Sequence, residues 1–494
     1  MSSLNIGYFR LKGVRKLDDL ELKQLLKQYF GYTEFKTGQA EIIKNLLSNN
    51  STLGILPTGT GKSLCYQLTG KIIKKTVLII SPLLSLMNDQ VEQLKYAGEK
   101  RVVALTSELS YSEKNFILAN IAWYAFIYVS PEMLRNDKVM EELLKIEIGL
   151  VVVDEAHCIS QWGPDFRPDY LRIKNFRKLL HNPLTLALTA TATSEVSHDI
   201  QDNLFDNNED IRVIRYSVDR PNIFLAVHES PSTAEKNMYL TELIAQLAGP
   251  GIIYFSSKKQ ANKISEMIGL KTNLRAAPYH ADLSVMNRYT IQHQFMENQL
   301  DIVCATSAFG MGINKQDVRY VIHYHLPSDI ESYVQEIGRA GRDGKKSLAV
   351  LLYSKSDIGL QQQLSVDSLP DEFDIEHFKD TGEQDNLSNK ERILQYYFNQ
   401  NMEISRIKEL FLKRRKVKFE KLKILLGYII NDGCKREYLL KYFGEKSIPE
   451  HNNSCCQLKT DPLNFNEFKF EKKVSQNDSL LNYKTILESF FKTS

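Results

Sequence analysis

The sequence predicts an α/β protein: two tandem lobes, each a parallel β-sheet covered by helices, followed by a small, helical, charged C-terminal region. Short runs rich in Val, Ile and Leu recur between helix-length segments, and they are apolar at successive positions, as strands buried on both faces must be. These runs fall into two sets, and the composition changes after about residue 365. The lobes are therefore drawn as 1–209 and 210–365, with the pattern interrupted near 216–222, and the helical region as 366–494.

The first set comprises 51–56, 75–81, 101–105, 125–130, 148–154 and 184–190. The second comprises 222–227, 251–257, 274–280, 300–306, 318–324 and 347–354, separated by helix-like stretches such as 259–270. In the third region, residues 367–385 carry eight acids against one lysine, whereas 406–446 carry 13 Lys or Arg against five acids. The apolar spacing of Leu410, Phe411, Val417, Leu422, Leu425 and Ile429 is helical. Its basic run, Lys413 to Lys416, reads first as a solvated face and second as a surface for phosphates.

Composition excludes several classes. Hydrophobic residues at 43% and charged residues at 25% match globular usage, against disorder or a collagen-like repeat. A net charge of +3 is too mild to identify a nucleic-acid partner, so any basic footprint must be local. Six cysteines in 494 residues are no disulfide framework. Neither a signal-peptide core nor an apolar run of about 18 residues is present. The expected protein has no membrane partner and is cytoplasmic, or chromosome-associated if bacterial.

The chemistry starts at Pro57-Thr58-Gly59-Thr60-Gly61-Lys62-Ser63, between a strand and a helix. Glycines let backbone N–H groups wrap a polyphosphate at the positive end of the helix. Lys62 can reach the β- and γ-phosphates and the Ser63 hydroxyl can ligate Mg²⁺. The strict phosphate-loop pattern wants Gly where this chain has Leu56. About 90 residues on, a buried strand ends in Asp154-Glu155-Ala156-His157. Asp154 can hold the Mg²⁺ shell and Glu155 can polarise the attacking water. Together these indicate a nucleotide hydrolase using ATP and Mg²⁺. In the second lobe, Gln335-Glu336-Ile337-Gly338-Arg339-Ala340-Gly341-Arg342 places two arginines three apart, able to stabilise a transferring phosphoryl group if the lobes close.

These segments resemble a superfamily 2 helicase core, and within it the RecQ family of DNA helicases. The resemblance rests on 30–39 (FGYTEFKTGQ), 81–90 (SPLLSLMNDQ), 154–157 (DEAH) running into 160–168 (SQWGPDFRP), 188–193 (LTATAT), 306–314 (TSAFGMGIN) and 335–344 (QEIGRAGRDG). It covers roughly 15–355, and more weakly to about 445. It implies two RecA-like lobes, ATP-driven 3′-to-5′ translocation on single-stranded DNA, and unwinding of partly duplex DNA in repair or recombination by a monomer. The alternative is an ATP-driven translocase or an annealing protein with little unwinding. By the same resemblance Gln39 reads the adenine edge, flanked by Tyr32 and by Lys36, where the family usually has Arg. Glu155 and Gln335 manage the water, and Arg339 and Arg342 complete the site. Trp162, Phe166 and Arg167 form a loop that stacks on bases, with Pro164 where the family usually has His. Ser81, Ser85, Ser256, Ser257 and Thr306 are expected to contact DNA phosphates.

RecQ proteins usually follow the core with a zinc module of spacing C-x₁₆-C-x₂-C-x₂-C. In that register Cys434 is followed by His451, Ser454 and Gln457, and a one-residue slip recruits Cys455. Tetrahedral zinc wants four N or S ligands, and adjacent Cys455 and Cys456 are expected not to share one ion. A metal-free remnant is therefore favoured, with zinc on Cys434, His451 and Cys455 as the alternative. Cys65, Cys158 and Cys304 read as core thiols. The winged-helix and second helical domain usual in the family do not fit in the 37 residues after Gln457, and both are expected to be absent.

Overall fold

The computed structural model describes residues 17–82, 84–161, 168–310, 315–381, 387–446, 449–452, 454–458 and 468. The chain divides into two units, Met1–Val218 and Asp219–Ser494.

The first unit holds a seven-stranded sheet, and all of its pairings are parallel. Its strands are β1 (Ser51–Ile55), β2 (Thr76–Ile80), β3 (Val102–Leu105), β4 (Phe126–Val129), β5 (Ile148–Val153), β6 (Thr185–Thr189) and β7 (Ile211–Arg215), in the order β3-β4-β2-β5-β6-β1-β7. Period-two alternation sends Val151 and Val153 into one core layer and Leu150 and Val152 into the other, all with no exposed surface. Burying each such side chain contributes roughly 1.5–3 kcal/mol, which is why these strands read as continuous apolar runs.

A lobe boundary at 209/210 needs correction. β7 pairs with β1 from Ser51↔Ile211 to Ile55↔Arg215 and closes the first sheet. Exposed Arg212 and Arg215 interrupt its apolar pattern, which an edge strand permits.

The second unit holds β8 (Ile223–Glu229), β9 (Gly251–Tyr254), β10 (Ala276–Tyr279), β11 (Ile302–Ala305), β12 (Tyr320–His323) and β13 (Ser347–Tyr353), ordered β10-β11-β9-β12-β13-β8 and again parallel. The described residues after 365 include four helices, the longest being Ile404–Ile430, around a small core of Leu369, Ile375, Ile393, Leu394, Tyr397, Ile407 and Phe411. This region does not stand apart from the second sheet. Leu225 of edge strand β8 bridges Cys456, and the Gln457 amide donates to Leu225 O at 2.8 Å.

No helix among the described residues is long and apolar enough to cross a membrane.

Candidate functional site

The phosphate loop leaves β1 and enters the helix Ser63–Ile73. Gly59 (φ +84°) and Gly61 (φ +68°) adopt left-handed backbone that a side chain would strain. Thr60 closes the turn on Pro57 O at 2.8 Å. Leu56, the departure from the strict pattern, is fully buried. A Cβ on Gly38 would lie 2.4 Å from Leu56 Cδ2, so this leucine fills the core beside Gly38.

Gln39 is 3% exposed, and its amide is committed to the loop. Nε2 donates to Thr60 O at 2.7 Å and to Gly61 O at 3.0 Å, and Oε1 accepts from the Lys36 amide at 2.9 Å. The Lys36 ammonium donates to Gly59 O at 3.0 Å. Both residues thus pull loop carbonyls to one side, while Tyr32 stands 60% exposed.

Asp154 and Glu155 follow β5. The Asp154 amide donates to Ile80 O, and the Glu155 amide donates to Asp154 Oδ1 at 3.0 Å. Glu155 adopts φ +48°, a left-handed conformation costing about 1 kcal/mol or more in a residue with a Cβ. Burial and the neighbouring Glu155 charge push Asp154 up to about 7, against the pull of Lys62. Adjacent carboxyl groups at a buried strand end favour a cation beside them, so Asp154 suits a Mg²⁺ ion. His157 Nδ1 lies 3.0 Å from Thr189 Oγ1 and 3.3 Å from Glu155 Oε2, joining this segment to the last residue of β6.

In the second unit Gln335 lies on the helix Ile330–Ile337, capped by Asp329. Arg339, 4% exposed, donates through Nη1 to Gly310 O, and Arg342 is half-buried. Glu336 is held to the end of β12 by His323 Nε2 at 2.7 Å, a pair the sequence pattern did not single out.

Ser81, Ser256 and Thr306 each follow the carboxyl end of a parallel strand, β2, β9 and β11, where ligands of open α/β sheets bind. Ser81 is 1% exposed, and Ser256 donates to Leu326 O at 3.2 Å. Ser257 caps the helix Lys258–Lys271. Trp162, Pro164, Phe166, Arg167 and the Ser85 side chain lie outside the described residues.

The expectation for the cysteines is corrected. Cys456, set aside because it adjoins Cys455, joins Cys434, His451 and Cys455, and the four ligand atoms lie within 4.8 Å of one another. Cys434 Sγ is 3.5 Å from Cys455 Sγ and 3.6 Å from Cys456 Sγ, which is 3.6 Å from His451 Nδ1. A tetrahedron with Zn–S of about 2.3 Å sets sulfurs about 3.7 Å apart, so the donor set and spacing fit zinc. The Cys456 hydrogen bond and the Arg436 guanidinium draw the Cys455 thiol below the ordinary thiol range. Residues 454 and 455 lie in a turn, with the Cys455 amide donating to Asn452 O at 3.0 Å, and Cys456 then bridges β8, so the neighbouring thiols converge.

The basic run is only partly a surface. Lys408 pairs with Glu372 and Glu376, Arg415 donates to Leu369 O at 2.7 Å, and Lys421 pairs with buried Glu331 at 2.6 Å. Lys435 is buried on the last carbonyls of the long helix, and Arg436 is buried too. Lys413 and Lys416 are exposed.

A phosphate loop and an acidic strand end in one parallel sheet, with an arginine turn beside a second sheet, define the class of two-lobed helicase motors. Comparisons narrow this. Residues 36–200 match the DEAD/DEAH box helicase model, 235–344 the helicase conserved C-terminal domain, and 379–458 the RecQ zinc-binding model. The chain is 44% identical to the probable ATP-dependent DNA helicase RecS of Bacillus subtilis (strain 168), over 93% of this chain and 96% of that protein. It is 35% identical to RecQ of the same organism, over 88% of this chain but 66% of that protein. The fold is shared with Mss116p bound to single-stranded RNA and AMP-PNP, at TM-score 0.60 and 17% identity over 82% and 90% of the two chains. The chain belongs to the RecQ-like helicases of superfamily 2.

Proposed function

We propose that this protein is an ATP-dependent DNA helicase that moves 3′-to-5′ on single-stranded DNA and opens duplex during repair or recombination. The observation that carries the reading is the pairing of the Gly59–Ser63 cradle with Asp154 and Glu155 at the carboxyl edge of one sheet. Its likeness to RecS over nearly the whole length supports DNA as substrate.

In this reading Lys62 binds the β- and γ-phosphates, with the amides of Thr58, Gly59, Thr60 and Gly61 around them, and Ser63 and Asp154 hold Mg²⁺. Magnesium, when bound, neutralises phosphate charge. Glu155 orients and deprotonates water with Gln335, Arg339 and Arg342 stabilise the transferring group, and Tyr32, Lys36 and Gln39 attend the base. Ser81, Ser85, Ser256 and Thr306 contact DNA phosphates, while Trp162, Phe166 and Arg167 stack on bases. Zinc is held by Cys434, His451, Cys455 and Cys456, fastening the C-terminal helices to β8.

Unwinding of 3′-tailed and 5′-tailed duplexes, beside ATPase on single-stranded DNA and RNA, tests the reading. ATP-dependent opening of the 3′-tailed duplex alone is expected. DNA-stimulated ATPase without strand displacement would leave the translocase reading, and no nucleic-acid stimulation would overturn both.

A further inference from the structure

The turn that carries Arg339 and Arg342 is held by a side chain from the segment that opens the second unit. Arg220 donates from Nη1 to Gly338 O at 3.0 Å and from Nη2 to Ala340 O at 2.9 Å and Gly341 O at 2.7 Å. These carbonyls lie where the helix Ile330–Ile337 ends, a place where backbone acceptors lack helical partners and carry partial negative charge. A planar guanidinium holds its donors in a rigid fork that engages all three at once, a geometry that an ammonium on a flexible stem does not reproduce. Gly341 turns at φ +56°, and a Cβ there would meet Asn222 Nδ2 at 2.4 Å, so the backbone path is fixed from a second side.

Arg220 is itself fastened. Buried Arg436 donates to Arg220 O at 3.0 Å and reaches Asp219 and Ile223 O with the same guanidinium. Its Nε donates to Cys455 Sγ at 3.3 Å, and its Nη2 to Cys455 O at 3.2 Å. A continuous chain of bonds therefore runs from the Cys455 segment through Arg436 and Arg220 to the arginine turn.

We infer that Arg220 is a positioning residue for ATP hydrolysis, which sets the backbone from which Arg339 and Arg342 project, and that Arg436 anchors it to the thiol cluster. This rests on the proposed role of those two arginines at the transferring phosphate. A group that aligns others for the transition state affects turnover and leaves ground-state binding alone.

The test compares Arg220→Lys, Arg220→Ala and Arg436→Lys with Arg339→Ala and Arg342→Ala in the full chain. For each, kcat and KM for ATP are measured on saturating single-stranded DNA, with affinities for ADP and for ADP–aluminium fluoride, and Tm. The Arg220 variants should lose about tenfold or more in kcat, since displacement of a catalytic group by about 1 Å can cost about 10²-fold. KM and ADP affinity should hold within about threefold, and aluminium fluoride binding should weaken in step with kcat. Arg436→Lys should move the same quantities less far. Arg220→Lys should slow the Arg342→Ala background by less than it slows the unmodified chain, because part of what Arg220 positions is already gone while Arg339 remains. Should Arg220→Ala fail to fold, the lysine variant carries the comparison. Wild-type kcat in the Arg220 variants, or equal losses of ADP and ADP–aluminium fluoride binding, would overturn the inference while losses in Arg339→Ala and Arg342→Ala keep the hydrolysis reading. Full turnover in those two controls would remove both.

Discussion

Gln39 donates its side-chain amide to the carbonyl of Thr60 at 2.7 Å, and so braces the phosphate loop from behind. Substitution to Glu replaces a buried donor by an acceptor facing two carbonyls, at a cost of roughly 1–3 kcal/mol for each unmet polar group. Gln39→Glu should therefore bind nucleotide more weakly than Gln39→Ala, measured with a fluorescent ATP analogue. If Gln39 also reads adenine, Gln39→Ala should lose preference for ATP over GTP; equal weakening for both leaves bracing as its role.

The water-activating carboxylate gives a sharper outcome. Glu155→Gln should keep ATP binding and lose about 10²-fold or more in turnover, the range for a general base. Lys62→Ala should lose both, because phosphate charge goes unmatched. Near-normal ATPase in both would dissolve the assigned site.

Lys421 and Glu331 join the long helix to the helix carrying Gln335, beside a second contact of Tyr333 and Tyr428 hydroxyls at 3.2 Å. Lys421→Met strands a buried carboxylate and should destabilise by roughly 3 kcal/mol. Burial already holds Glu331 above the ordinary glutamate range. The native state therefore binds its proton more readily than the unfolded chain does, and acidification favours the fold. The Tm deficit of Lys421→Met should shrink from about pH 8 to about pH 5. A pH-independent deficit would show that the lost pair is not its source.

On the basic helix only some charges are available to DNA. Neutralising Lys413 and Lys416 should weaken duplex binding and flatten its salt dependence by about two counterions, with ATPase on single strands intact. An unchanged slope in a salt titration would assign these lysines to solvation. Neutralising Arg415 should instead lower Tm, since its guanidinium holds Leu369 O.

If the thiol cluster holds zinc, purified protein should carry about one zinc per chain and chelation should lower its Tm. Cys456→Ser should lose most of that metal by elemental analysis. Full zinc in this variant would return Cys456 to a bystander role, and no zinc in the unmodified chain would restore the metal-free remnant.

Local chemistry determined much of this protein. Twelve of the strands are legible as short apolar runs between helix-length segments, and the central ones, buried on both faces, are apolar at successive positions, as 150–153 are. The phosphate loop and the Asp154–Glu155 strand end are legible because their function demands particular residues at fixed short spacing. β7 was not, because an edge strand with exposed Arg212 and Arg215 carries no such constraint. Only tertiary structure decided where Cys456 points, since a bridge to Leu225, about 230 residues away in sequence, sets that backbone. It likewise decided that Arg220 and Arg436 hold the arginine turn. Nothing local marks an arginine whose partners are distant carbonyls, because every residue offers that acceptor and the fold alone chooses among them.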